Sequence, residues 1–380
     1  MTLINETNSA LIAIASLSLA GVIIALLVSN GMGRVFRNAY SSTRAKAKRS
    51  KLLQKHDYER ALKTRGINDL AEFLEERGFG NAESLSLART KGNAFEFTEA
   101  EMIDKILNEH LIKSLKELEN IQPGSGSKAI GLLYKKWDVW NLKTLIRGLR
   151  VGLERERIRA LLVDVGSMKG MLDRLAECRD LKSLAVALEG TQYHDIIEEH
   201  SDSPKLLESA IERGYYERLI ETELDASDPD EAMLIRMMRM RLDSKNILLA
   251  CRLVRFKGDL REHPFIRGGS VDGLLRDALS EKSFDAIRRA LAGTRYGSIV
   301  SRGLNNFEAT GSLTQLERLL EKEYVKEFRS LSRSDPLGMG VSLSYVCCKE
   351  AEVENLRIIA KCKAAGFDED AIRELLVMPS

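Results

Sequence analysis

Two stretches near opposite ends of the chain are copies of one another. Asn141 to Val163 (NLKTLIRGLRVGLERERIRALLV) and Asn355 to Val377 (NLRIIAKCKAAGFDEDAIRELLV) match without a gap at 8 of 23 positions, where chance gives about one or two. A third copy lies between them as Asp243-Ser-Lys-Asn246-Ile-Leu-Leu-Ala-Cys-Arg252. Aligned on the asparagine, all three read acid-x-x-Asn-aliphatic with a cation six residues on. The acids are Asp138, Asp243 and Glu352, the asparagines Asn141, Asn246 and Asn355, and the cations Arg147, Arg252 and Lys361. The asparagines stand 105 and 109 residues apart.

Other markers recur in the same order. Gly170 to Tyr193 and Gly273 to Tyr296 share 7 of 24 positions, ending in Gly-Thr-Gln-Tyr193 and Gly-Thr-Arg-Tyr296, with a weaker counterpart at Ile67 to Phe79. Glu208-x-x-Ile-Glu-x-x-Tyr215 returns as Glu317-x-x-Leu-Glu-x-x-Tyr324. A period near 105–115 residues is too long for the ~34–47 residue units of helical solenoids, so the pattern is triplication of a small domain. The boundaries it sets are 1–36 for an N-terminal flank, then repeats at 37–166, 167–270 and 271–380.

The copies read as helices. Met102, Ile103, Ile106, Leu107, Leu111 and Leu115 follow a 3.6-residue period. Gly152 and Gly366 sit where helix stops are expected. Only 6 prolines and 6% aromatics point the same way. The expected fold is all-α, three tandem quasi-equivalent helical domains. A mid-helix asparagine is a poor helix former and costly to bury unpaired, so its recurrence at one register predicts bonds to the backbone of a neighbouring turn. The acid three residues earlier lies on nearly the same face, whereas the cation points away, free to reach an adjoining copy.

Before the repeats the chain changes character. No charged residue occurs from Thr7 to Gly33, and Ala10 to Val28 is 19 residues of apolar and small side chains. At 1.5 Å per residue that run matches the ~30 Å hydrocarbon core of a bilayer. Eight cations (Arg34, Arg37, Arg44, Lys46, Lys48, Arg49, Lys51 and Lys55) then precede the next acid, Asp57. The expectation is one N-terminal transmembrane helix meeting lipid through Ala10 to Val28. It would cross the cell membrane once, with the C-terminal body in the cytoplasm.

The rest of the composition excludes function classes. With 58 Lys+Arg against 56 Asp+Glu, the chain lacks the cationic excess of a nucleic-acid binder. The five cysteines (Cys178, Cys251, Cys347, Cys348 and Cys362) and the scattered histidines show no metal-ligand spacing, so reduced, buried thiols are expected. Pro123-Gly-Ser-Gly-Ser-Lys128 lacks the spacing and hydroxyl of a phosphate loop and reads as a linker between helices. Trp137 and Trp140, flanking Asp138, read as a packed helix face. No nucleophile or base recurs, so no catalytic, cofactor or metal site and no small-molecule substrate is expected.

Lys135-Lys-Trp-Asp-Val-Trp-Asn-Leu-Lys-Thr-Leu-Ile-Arg-Gly148 and Glu350-Ala-Glu-Val-Glu-Asn-Leu-Arg-Ile-Ile-Ala-Lys361 resemble the signature segments of the C subunit of archaeal-type (A-type) ATP synthases, a relative of the d subunit of vacuolar proton pumps. The resemblance runs from about Tyr40 to the C-terminus. It implies a non-catalytic, funnel-like part of the rotor that caps the proteolipid ring and receives the foot of the central axle in its cavity. Its implied partners are the central-axle subunits and the ring. The N-terminal segment departs from the usual soluble form, and an anchor there would have to lie inside the ring lumen, coaxial with rotation. A competing reading is a membrane-anchored helical adaptor that binds partner proteins between its bundles.

Overall fold

The computed structural model describes residue 21 and residues 38–80, 99–260 and 264–378. Every regular element among them is helical. In the first copy a helix over 38–49 (α1) is followed by α2 (Lys55–Leu62), α3 (Ile67–Glu76), α4 (Glu99–Glu119), α5 (Ser125–Leu132), α6 (Lys136–Val151) and α7 (Arg155–Leu161). The second holds α8 (Leu172–Ala176), α9 (Leu181–Ala187), α10 (His194–His200), α11 (Pro204–Arg218) and α12 (Pro229–Phe256). The third holds α13 (Asp272–Leu279), α14 (Phe284–Leu291), α15 (Gly297–Thr310), α16 (Thr314–Ser334), α17 (Met339–Ala364) and α18 (Glu369–Leu375). The motif helices α6, α12 and α17 are counterparts, as are α4, α11 and α16 before them.

Local sequence sets many of these limits. Asp180, Ser283 and Asp368 accept from the N–H three residues on at the starts of α9, α14 and α18. Asp228 caps α12 ahead of Pro229, whose missing N–H costs nothing at that position. The α6 helix stops at Gly152, which holds the left-handed conformation at φ 68°. The Pro123–Lys128 stretch, expected as a linker, instead turns at Gly124 and enters α5 at Ser125.

The expected fold is corrected at its N-terminal end. Among the described residues no helix is long and apolar enough to cross a membrane. The two longest, α12 and α17, are interrupted by charged side chains, from Arg236 to Lys245 in one and from Lys349 to Arg357 in the other. The Ala10–Val28 run lies outside the described residues apart from Gly21. The expected transmembrane helix, with its lipid contact and single-pass topology, therefore has no support among the described residues, and the fold described is the helical body.

The packing is cyclic in the order of the copies. The α6 helix lies on α11 of the second copy, α12 on α16 of the third, and α17 returns to α4 of the first. Two apolar cores form around this frame. The smaller gathers Ile247, Cys251, Leu275, Ile287, Val300 and Leu316, and the larger takes the rest of the body, from Ala45 to Leu376. Both α12 and α16 run through the two cores, with Leu234 and Phe328 in the larger, Ile247 and Leu320 in the smaller. Four of the five free cysteines are buried and Cys362 is half-buried.

The asparagine of each motif clamps one backbone residue with two bonds. Asn141 donates to the Val163 carbonyl at 2.9 Å and accepts from the Val163 N–H at 2.8 Å. Asn246 does the same to Ile266 at 2.8 and 3.1 Å, and Asn355 to Val377 at 2.9 Å each way. The amide thereby satisfies an extended segment that no sheet or helix would pair. Replacing Asn141 by Leu leaves the Val163 N–H buried without a partner, at about 1–3 kcal/mol, while the Val163 carbonyl keeps the Val165 N–H at 2.8 Å. The expected loss is about 1–3 kcal/mol by urea denaturation, whereas Arg147→Ala, at an exposed ion pair, costs under about 1 kcal/mol.

Candidate functional site

The motif helix has two polar faces that do different things. On one, the acid lies beside the asparagine and caps the start of the next copy. Asp138 is fully buried and accepts from the Ser167 and Met168 N–H groups at 3.1 Å each, and from the Ser167 hydroxyl. Asp243 accepts from the Ser270 and Val271 N–H groups at 2.6 and 3.2 Å and from the Tyr296 hydroxyl at 3.0 Å. Burial pushes both carboxyls above the usual range, and these donors oppose it. The loop comes close enough only because Gly166, at φ 97°, precedes Ser167; a β-carbon there would overlap the Asp138 carboxylate.

The third acid turns to the first copy. Glu352 accepts from the Leu53 N–H at 2.6 Å, just before α2. Its other oxygen is bonded by Lys349. Of the tyrosines that end the repeated segments, Tyr296 gives its hydroxyl to the motif acid and Tyr193 does not. The Lys349 ammonium that bonds Glu352 also lies 4.4 Å from the Phe79 ring centroid.

The opposite face of the motif helices lines a cavity of about 740 Å³. Lys136, Arg241 and Glu350 each lie five residues before the motif asparagine, and they meet there. Glu350 binds Lys136 through one oxygen and lies 3.4 Å from Arg241 through the other. Arg241 also pairs with Glu321 and sits 3.7 Å over the Tyr324 ring. Burial would raise the Glu350 carboxyl, but the two cations outweigh it and hold the group below its ordinary value. Three equivalent positions can share one ion-pair cluster only where the three copies converge. Trp140, Lys245 and Glu354, each one residue before the asparagine, also line the cavity.

The candidate residues divide between the interior, the seams and the surface. Asp138, Asn141, Asp243, Asn246, Glu352 and Asn355 are buried inside the body, with Asn355 also reaching the cavity wall. Arg147 reaches Glu208 on α11 of the next copy, with a 2.8 Å bond from Nε. Lys361 lines the cavity and lies 3.2 Å from Asp104 on α4. Arg252 is exposed and forms no ion pair among the described residues. The structure does not bring the three cations together. What sequence reasoning missed is the set five residues before the asparagine, together with Glu212 and Asp104, which bind cations across the seams. The repeat register would have exposed Lys136, Arg241 and Glu350, but their charges differ, so no shared residue type drew attention to them. Among the described residues no group of His, Cys, Asp or Glu is arranged to hold a metal.

Comparison with known proteins gives the family of this helical body. Residues 41–375 match the model of the ATP synthase (C/AC39) subunit family. The chain is 31% identical to the C subunit of the A-type ATP synthase of Haloferax volcanii, over 89% of this chain and 97% of that one. It is 30% identical to the protein of the same name from Halobacterium salinarum, again over 89% and 97%. The match to its counterpart from Methanosphaera stadtmanae is 25% over 95% and 93%. The chain belongs to the ATP synthase (C/AC39) subunit family.

Glu212 gives the site a pH signature. Burial raises its pKa, but Lys245 and Lys143 outweigh burial and hold it at about 2, against an ordinary 4.5. A carboxyl depressed on folding adds stability that is fully present above its unfolded pKa and lost as pH falls towards its folded one. Stability should therefore decline between pH 4.5 and about 2. In Glu212→Gln the decline over this window should be shallower, as measured by denaturant titration at stepped pH.

Proposed function

We propose that this chain is a non-catalytic central-rotor subunit of an A-type ATP synthase. In this reading it couples the axle of the ATP-hydrolysing and ATP-synthesising head to the proteolipid ring of a membrane-associated complex. The observation that carries the reading is the family match over residues 41–375, with relatives named as the C subunit of that enzyme. The packing agrees with it. A rotor part makes and breaks no bonds; it must pass torque between two partners without slipping. Copies 37–166, 167–270 and 271–380 are read as three quasi-equivalent domains of a funnel, whose cavity takes the foot of the axle.

Stiffness is what torque demands, and the seams supply it. Each joins a motif helix to the helix before the next motif, through Arg147–Glu208 and Lys143–Glu212, Arg241–Glu321 and Arg236–Glu327, and Arg357–Asp104 and Lys361–Asp104. Isolated surface ion pairs are weak, but each seam also carries a half-buried pair, Lys143–Glu212, Arg241–Glu321 or Arg357–Asp104, and the two pairs of a seam resist shear together. Arg147, Arg252 and Lys361 are assigned to these junctions or, for Arg252, to a partner surface; Asp138, Asp243 and Glu352, with Asn141, Asn246 and Asn355, hold the lobes in shape.

Two measurements test the reading. Tagged protein from detergent-solubilised membranes should bring down proteolipids and a nucleotide-binding head; recovery of one peptide ligand without either would favour an adaptor instead. Arg147→Glu should lower the ions pumped per ATP hydrolysed while ATP turnover persists. Loss of hydrolysis in an intact complex would contradict a purely mechanical role.

A further inference from the structure

The acid-bearing face of the motif helices looks away from the central cavity. Where the second copy meets the third, that outer side holds a hollow of its own, of about 610 Å³. This is within the range of small-molecule sites, ~300–1,000 Å³. Arg236 and Arg239, neighbours on α12, line it together with Arg295 from the turn before α15. Ile235, Met240 and Val271 supply apolar wall.

The donors here outnumber their acceptors. Arg236 bonds one oxygen of Glu327, and Arg295 reaches that same oxygen only at 3.4 Å. The other contact of Arg295 is the Met240 sulfur at 3.4 Å, a weak acceptor. Arg239 is exposed and forms no ion pair among the described residues. Three guanidinium groups thus have one carboxylate oxygen between them. Asp243, at the floor, already accepts from the Ser270 and Val271 N–H groups and the Tyr296 hydroxyl. At the Ala226 end, Asp225 is taken up by Ser227, and Asp228 by the start of α12.

The repeat does not require these arginines. At the first junction their positions hold Gly131, Tyr134 and Gln192, and Asp138 caps the next copy all the same. In α17 the first two positions hold Tyr345 and Cys348. A guanidinium offers a planar fork of donors that matches the oxygens of a phosphate.

We propose that this hollow is a binding site for an organic phosphate. The phosphate end takes the free donors of Arg239 and Arg295, with Arg236 beside them, and the uncharged body lies against Ile235, Met240 and Val271. The site is separate from the central cavity and does not depend on the rotor reading. An acidic peptide would also answer the charge, but it spreads its carboxylates along a chain, whereas here donors from two elements line one enclosed space.

The test titrates the full-length chain by calorimetry with ADP, inorganic phosphate and a polyglutamate peptide. ADP should bind one site per chain, more tightly than phosphate because apolar wall is covered as well. R239A breaks no ion pair among the described residues, and R295Q installs the residue of the first junction. Each should weaken ADP at least about tenfold, while R252A, at an exposed arginine elsewhere, leaves it unchanged. E327Q should tighten ADP binding, because Arg236 and Arg295 lose their shared carboxylate; a purely structural role for these arginines gives no such gain. Lack of binding by both ADP and phosphate at millimolar concentration overturns the proposal. So does a peptide that binds more tightly than ADP, or a loss in R252A equal to that in R239A. Phosphate binding as tightly as ADP overturns the part given to the apolar wall.

Discussion

A chain of three tandem copies can close on itself only if the last copy recognises the first without a peptide linker. Here that burden falls on the buried carboxylate of each motif helix. Asp138 and Asp243 bond the backbone where the next copy starts, and Glu352 makes the corresponding bond to Leu53 across 299 residues. The first two are local consequences of chain continuity. The third is long-range, and other polar contacts reinforce it: Lys363 donates to the Leu62 and Thr64 carbonyls, Arg373 pairs with Glu59, and Arg49 donates to Ser332 and Ser344. Without this seam the motif helix α17 would have no α4 to lie on, and the cavity would have a gap in its wall.

The motif helix divides its labour by face. At 100° per residue, the acid and the asparagine lie within 60° of each other and roughly opposite the positions five and one before the asparagine. Buried amide and carboxylate therefore shape each lobe, and the opposite face is left to vary. The shared architecture and the varied cavity lining are thus separable. The buried acid draws its further donors from different residues in each copy: the Ser167 hydroxyl for Asp138, the Tyr296 hydroxyl for Asp243 and the Lys349 ammonium for Glu352.

Torque through such a body would be carried by helix-on-helix seams, not by any reacting group. Each seam has one half-buried ion pair, Lys143–Glu212, Arg241–Glu321 or Arg357–Asp104, which is screened less than an exposed pair, and the exposed Arg147 adds a bidentate grip on Glu208. The apolar cores add continuity, because α12 and α16 pass through both. A displacement at one wall is resisted by close-packed side chains on the other.

The helical class, the register of the threefold motif and the asparagine's need for a backbone partner were legible in the residues, because each depends on spacing along the chain. The family resemblance was carried by two segments of that motif. The N-terminal apolar run was legible as well, but it lies outside the described residues apart from Gly21, and no described helix is long and apolar enough to cross a membrane. Only the tertiary structure decided which partners the cations take and that Glu352 closes the third copy onto Leu53. It alone brought Lys136, Arg241 and Glu350 together. Periodicity fixes which face a side chain occupies, whereas what that face meets depends on contacts between residues some hundred or more positions apart.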